Sequence, residues 1–355
     1  MSDRPEAGLA GLKGLVVDRI SAEGPIPFEA FMEMALYEPG LGFFATDRLR
    51  SVQSGDFLTS PEVSALFGET LAAFVAAERA RIGEPFTLVE AGAGSGSLLR
   101  PLLARAPVDV IAVEASPAAR IALEEMLPDA GVSHRLPPNI RGVVLANELL
   151  DNLPMALAQK VDSDWRERWV GTSGADLEMV DSDPRPGVVE WLDAYAGAVE
   201  DGGWVEVQLA ATGWLTDALK RLEAGSVVII DYGDTAENLV PRRQDGTLRT
   251  YRAHHLGPHP LDEPGETDIT ADVNFTALID TATRLGADVR YQRQDDFLAD
   301  LGLRERLSDL RLAELEAARS GDEMERLRLR SSRTEAETLL HPRGLGDFRV
   351  LVATV

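Results

Sequence analysis

Two short stretches carry side chains whose types and spacing suit them for chemistry. Residues 89–100 read VEAGAGSGSLLR, with Glu90 followed by Gly92, Gly94 and Gly96 between an apolar run and a helix-compatible stretch. Glycines so closely spaced at a strand-to-helix turn let backbone amides approach a ligand where side chains would obstruct it. That chemistry is generic to nucleotide binding. The dinucleotide fingerprint G-x-G-x-x-G/A fits imperfectly, because the third glycine falls at 96 and position 97 is Ser. Glu114 ends the next apolar run, where a carboxylate can accept bonds from ribose hydroxyls. An acid ahead of the loop, Glu90, suits a ligand with positive charge better than one with a pyrophosphate. A tight turn built only for packing would use the same glycines.

The second stretch, ANELLDNLP at 146–154, begins where an apolar strand ends, at the edge where open α/β sheets gather their ligands. Asn147, Glu148 and Asp151 would face the site. A guanidinium keeps its proton at neutral pH unless a carboxylate takes it as a new bond forms. Two carboxylates three residues apart could hold one such cation in a bidentate way, although capping of a following helix would use Asn and Asp equally well. Residues 55–63, GDFLTSPEV, offer Asp56, Thr59, Ser60 and Glu62 either as ligand contacts or as a helix start with Pro61 in its first turn. Asp231 and Tyr232 stand at another strand end, as a turn or as substrate contacts. His254, His255 and His259 mimic a metal spacing, but Gly257, Pro258 and Pro260 break the helix that would align them, so no metal is expected.

The elements that must position these residues follow from periodicity. Apolar runs at 86–91, 108–114, 142–147 and 226–231, with helix-compatible stretches between several of them, predict an α/β fold: a parallel sheet with helices on both faces. Residues 1–83 read as an N-terminal helical region, with periodic stretches at 28–36 and 64–82. Residues 155–212 alternate as antiparallel strands (ALAQKV, WRERWV, WVEVQLA) and read as an insertion into a core formed by 84–154 and 213–355. A helical hairpin is expected over about 296–340, broken at Ser320–Gly321, and DFRVLVATV supplies a last strand.

Composition bounds the partners. The 355 residues carry a net charge of −24, which repels phosphate backbones and anionic membranes and favours a cationic target. There is no cysteine for a disulfide or a thiolate site. No apolar stretch approaches the roughly 18 residues of a spanning helix, and residues 1–20 lack a signal-peptide pattern, so a cytoplasmic protein is expected. A homodimer is compatible with the extra surface.

Glu90, the three glycines and Glu114 together resemble the S-adenosylmethionine (SAM) signature of class I methyltransferases. More of the chain is similar to one family, the MidA-like methyltransferases, whose mitochondrial members are the complex I assembly factor 7 proteins. The resemblance runs through MALYEPGLGFF (34–44), GDFLTSPEVSALFGE (55–69), EAGAGSG, ANELLDNLP, IIDYG, GTLRTYRAHH (246–255), PGETDITADVNF (264–275) and GLGDFRVL (344–351). It implies a Rossmann-like core, SAM bound at Glu90, Gly92, Gly94, Gly96 and Glu114, a covering segment with Asp56, Thr59, Ser60 and Glu62, and a target arginine in a partner protein. In that reading Glu148 accepts the guanidinium proton, Asp151 assists and Asn147 fixes geometry. This chain departs from the family pattern at Phe43 and Phe44, where many relatives show tyrosines, at Leu149 and Leu150, where they show phenylalanines, and at Asp272–Val273–Asn274, where they show His-Val-Asp. A noncatalytic SAM-binding assembly factor and a small-molecule O- or N-methyltransferase are the alternatives.

Overall fold

A computed structural model describes residues 11–46, 64–174, 176–252 and 255–355. The chain begins with α1 (Leu12–Glu23), a two-residue strand β1 (Ile26–Pro27) and α2 (Phe28–Tyr37). Helix α2 buries Phe28, Phe31, Met32, Ala35 and Leu36, the i, i+3, i+4, i+7, i+8 stripe of an amphipathic helix. Helix α3 (Ala65–Ile82) starts at Ser64, whose hydroxyl accepts the Leu66 N–H at 3.1 Å. The core then alternates β2 (Thr87–Ala91), α4 (Leu99–Arg105), β3 (Asp109–Val113), α5 (Pro117–Met126), β4 (Gly131–Ser133) and β5 (Ile140–Asn147), ending in a 3-10 turn at Leu150–Asn152. The insertion supplies β6 (Ala156–Val161), β7 (Asp164–Ser173), β8 (Asp176–Ser182), α6 (Pro186–Tyr195) and β9 (Trp204–Val207). The chain returns through α7 (Leu209–Arg221), β10 (Leu222–Asp231), β11 (Gly233–Asp234), α8 (Ala236–Leu239), β12 (Arg249–Arg252), β13 (His255–Leu256), β14 (Asp268–Thr270), β15 (Val273–Asn274) and α9 (Phe275–Arg284). It closes with β16 (Asp288–Arg293), α10 (Gln294–Asp300), α11 (Leu303–Ser320), α12 (Glu323–Leu339) and β17 (Arg349–Thr354).

The central sheet has the order β16-β17-β10-β5-β2-β3-β4. All neighbours are parallel except that β17 runs antiparallel to both β10 and β16. The expected all-parallel sheet is therefore corrected at its last strand, which enters between β10 and β16. Apolar side chains alternate strictly between two cores. Leu88, Val143, Leu145, Val228 and Val350 pack under α3, α4, α5 and the C-terminal helices, while Val89, Val144, Ala146, Ile229 and Leu351 pack under α7 and α9. Burial on both faces explains why the strands read as continuous apolar runs.

The second sheet, β1-β7-β6-β9 with β8 on β7, is antiparallel. Its strand β1 comes from the N-terminal region, pairing Ile26 with Val170, so that region is not purely helical as its periodicity predicts. Two residues are too few to show a period. Pro27, which has no amide to donate, suits the edge position. Leu12, Phe28, Phe31, Leu157, Val170 and Ile269 share one core, which brings both additions against the end of the sheet where β5 leads into its turn.

Strand order decides where a ligand belongs. The chain moves outward from β2 through β3 to β4, and in the other direction from β5 to β10, so the order reverses between β2 and β5. Crevices at the C-terminal ends of such strands are the binding places of open α/β sheets. Ala91 lies opposite Ala146 and Val113, and Asn147 opposite Ile230, so these four strand ends are level.

Candidate active site

A cavity opens at that reversal. It is lined by Glu90 to Ser95 at the end of β2, Val113 to Ser116 at the end of β3, and Asn147 to Leu149 at the end of β5. Gly92, Gly94 and Gly96 all have left-handed backbones, with φ of 74°, 52° and 76°. Such angles are strained for any side chain with a Cβ. The turn is tied to the neighbouring strand, because the Gly92 and Ala93 amides donate to the Val113 carbonyl at 2.8 and 3.2 Å. Glu114 ties it again. Its Oε2 accepts the Gly94 N–H and its Oε1 the Ser116 N–H, both at 2.8 Å. A carboxylate has about four acceptor positions, so these two bonds leave capacity for ligand hydroxyls.

Glu90 is almost fully buried, and burial followed by the charge of Glu114 holds its carboxyl well above the usual range. Its Oε2 and the Oδ1 of Asn147, also at the cavity wall, are buried acceptors without a hydrogen-bond partner. A buried orphan acceptor is costly, and a ligand with ammonium donors would satisfy both while drawing the Glu90 carboxyl back toward ionisation. The glycine cradle, the spare acceptor positions of Glu114 and these two acceptors together fit SAM.

Glu148 also lines the cavity, on a left-handed backbone at φ 50°. Its N–H donates to the Ile230 carbonyl at 2.8 Å, and its Oε2 accepts the Tyr232 hydroxyl at 3.0 Å. The Asn147 side-chain amide points at Oε1 from 3.4 Å. Asp151 is placed differently from the expected bidentate partner. It is not among the cavity residues but buried behind the turn, where Oδ2 accepts the Thr270 hydroxyl at 2.6 Å. A 3-10 turn after Leu149 carries it inward, a change of face that a spacing of three residues cannot reveal. Asp231 is likewise fully buried, and Tyr232 packs its ring on Phe348; neither lines the cavity.

Asp56, Thr59, Ser60 and Glu62 lie outside the described residues, as does His254. Among the lining residues that the sequence did not single out as site residues are Tyr37, Phe44, His134 and Trp214. Tyr37 and Phe44 form a stacked pair with centroids 5.8 Å apart, and the Tyr37 hydroxyl donates to the Asn152 carbonyl at 3.1 Å. Only packing of the N-terminal addition brings them here. Trp214 arrives from α7 and His134 from the loop after β4, with no motif around either.

Burial pushes the Asp151 carboxyl up from 3.8 to about 6, against the lowering effect of the Thr270 hydroxyl. An acid that binds its proton more tightly in the folded state contributes stability that is complete below the unfolded value and is lost as pH rises through the folded one. Asp151→Asn is therefore expected to melt above wild type at pH 7, with the gap closing as pH falls from about 6 toward 3.8. Thermal melts across that range check it. A gap that widens on acidification would reverse the sign.

The model of a family of SAM-dependent methyltransferases matches residues 67–292 of this chain. A protein arginine methyltransferase NDUFAF7 homolog, mitochondrial, from Drosophila melanogaster is 30% identical over 318 residues, covering 77% of this chain and 70% of the fly protein. The protein arginine methyltransferase NDUFAF7 of Danio rerio is 27% identical over 344 residues, covering 83% and 77%. A crystal structure from Burkholderia thailandensis, bound to S-adenosyl-homocysteine, superposes with a TM-score of 0.85 at 26% identity, covering 97% of this chain and 92% of that one. Glycine loop, sheet order and matched span agree: the chain belongs to the S-adenosyl-L-methionine-dependent methyltransferase family.

Proposed function

We propose that this enzyme methylates a guanidinium nitrogen of an arginine in a partner protein. The observation that carries the reading is Glu148, a carboxylate at the cavity wall held by hydrogen bonds from two sides. The relatives named as protein arginine methyltransferases support it, as does a net charge of −24, which attracts cationic protein segments. The methyl donor supplies an electrophilic methyl on a sulfonium. Gly92, Gly94 and Gly96 would let it approach the backbone, Glu114 would take ribose hydroxyls, and Glu90 and Asn147 would take its ammonium. Glu148 orients the incoming guanidinium through paired N–H bonds and accepts its proton as the nitrogen gains carbon, which removes the charge that blocks nucleophilic attack. Proximity supplies the rest of the rate, and no covalent enzyme intermediate is needed.

The test is incubation of the protein with methyl-labelled SAM and a whole-cell lysate, followed by peptide mass spectrometry. The expected result is an arginine carrying one or two methyl groups. Label confined to small molecules, or no labelled product at all, would overturn the proposal.

A further inference from the structure

Glu148 has to be held against its own backbone preference. Among the described residues only Asp162 and Ser163, in the tight turn between β6 and β7, share its non-glycine positive φ. Left-handed conformations at such residues persist only where surroundings over-determine them. Here the surroundings are the end of β10. Besides the Ile230 carbonyl that receives the Glu148 N–H, Asp231 accepts three backbone amides: Leu150 at 2.9 Å and Asp151 at 3.3 Å on Oδ2, and Tyr232 at 2.9 Å on Oδ1. One buried carboxylate thus binds the turn after β5 and the turn after β10 into a unit. Tyr232 completes it, its hydroxyl on Glu148 Oε2 at 3.0 Å and its ring centroid 4.1 Å from that of Phe348.

We propose that Tyr232 is a positioning residue for Glu148 and not a substrate contact: it occupies Oε2, fixes the carboxylate rotamer and tempers its basicity, while Asp231 locks the two turns in register. The inference rests on the reading of Glu148 as the proton acceptor. Among the described residues, the charged and titratable groups around the pair are Asp151 behind the turn, Asp231 on β10, and Tyr37, Glu90, Glu114 and His134 around the cavity, with no Lys or Arg lining it. Desolvation of the hydroxyl and then the charge of Glu148 push Tyr232 up, even though the residue as a whole is 38% exposed, so it stays a donor at neutral pH. A donor on a carboxylate stabilises the ionised form, and its removal raises the carboxyl's pKa.

The test is Tyr232→Phe, which keeps the ring on Phe348. Carboxyl-carbon NMR of ligand-free protein carrying labelled glutamate reads the Glu148 titration, assigned by its absence in Glu148→Gln. The midpoint is expected to rise by about one pH unit, and the acid limb of kcat/KM on an arginine peptide to follow it, with kcat down about tenfold and the KM for SAM unchanged. A fluorotyrosine at 232, a stronger donor of nearly the same shape, is expected to move the midpoint the other way and keeps the test open if the Phe variant fails to fold. Coincident midpoints in wild type and variants overturn the inference. A wild type that methylates no arginine, with the midpoints still shifted, overturns the arginine reading alone.

Discussion

Glu148→Gln is expected to lower kcat on an arginine peptide by about 10²–10⁴-fold, the range for removing a general base, or about 3–5 kcal/mol of barrier. Glutamine keeps the size of the side chain, and its carbonyl can still accept the Tyr232 hydroxyl that now reaches Oε2 at 3.0 Å. What it loses is the capacity to take a proton and to pair a cation. Affinity for S-adenosyl-homocysteine should stay near wild type, because most of the groups proposed to hold the donor, Glu90, Glu114 and the glycine loop, are elsewhere on the wall, and the glutamine can still accept from the neighbouring Asn147 amide. Single-turnover methylation and calorimetry on the same preparation separate the two effects. A variant as fast as wild type would remove Glu148 from the chemistry.

Gly92→Val is expected to abolish donor binding while leaving the protein folded. At φ 74° a β-branched residue costs about 1–3 kcal/mol, and the added Cβ would stand 3.1 Å from Leu149 Cδ1. Leu149 lines the cavity, so relief of that contact moves cavity atoms. Together these should weaken S-adenosyl-homocysteine binding by at least about 100-fold, equivalent to about 2.7 kcal/mol. The control is Gly174→Val, which has φ 65° but open space around its Cβ and no place at the cavity. It shares the backbone cost and should bind normally. Equal binding by wild type and Gly92→Val would mean that the loop is a packing turn.

Some of this design is local and therefore legible in one dimension. A residue such as Val89 or Val144 has the same neighbours in any doubly covered sheet, so burial on both faces writes itself as an apolar run, and four central strands emerge at the right places. The glycine turn is legible for a similar reason: its left-handed angles exclude nearly every other residue type. The break between α11 and α12 appears as Gly321, which has the same kind of backbone.

The glycine turn and the class of sheet can be read along the chain, because both depend on constraints that a residue and its near neighbours must satisfy. Tertiary structure alone decided the rest. It turned Asp151 inward onto Thr270, 119 residues away in the chain, and made Asp231 a backbone tie across two strand ends. It set Tyr37 and Phe44 on the cavity wall through packing of the N-terminal addition, and added β1 to a sheet whose other strands begin at Ala156. In each case the deciding partner is remote, and spacing along the chain records which face a side chain leaves from but not what it meets.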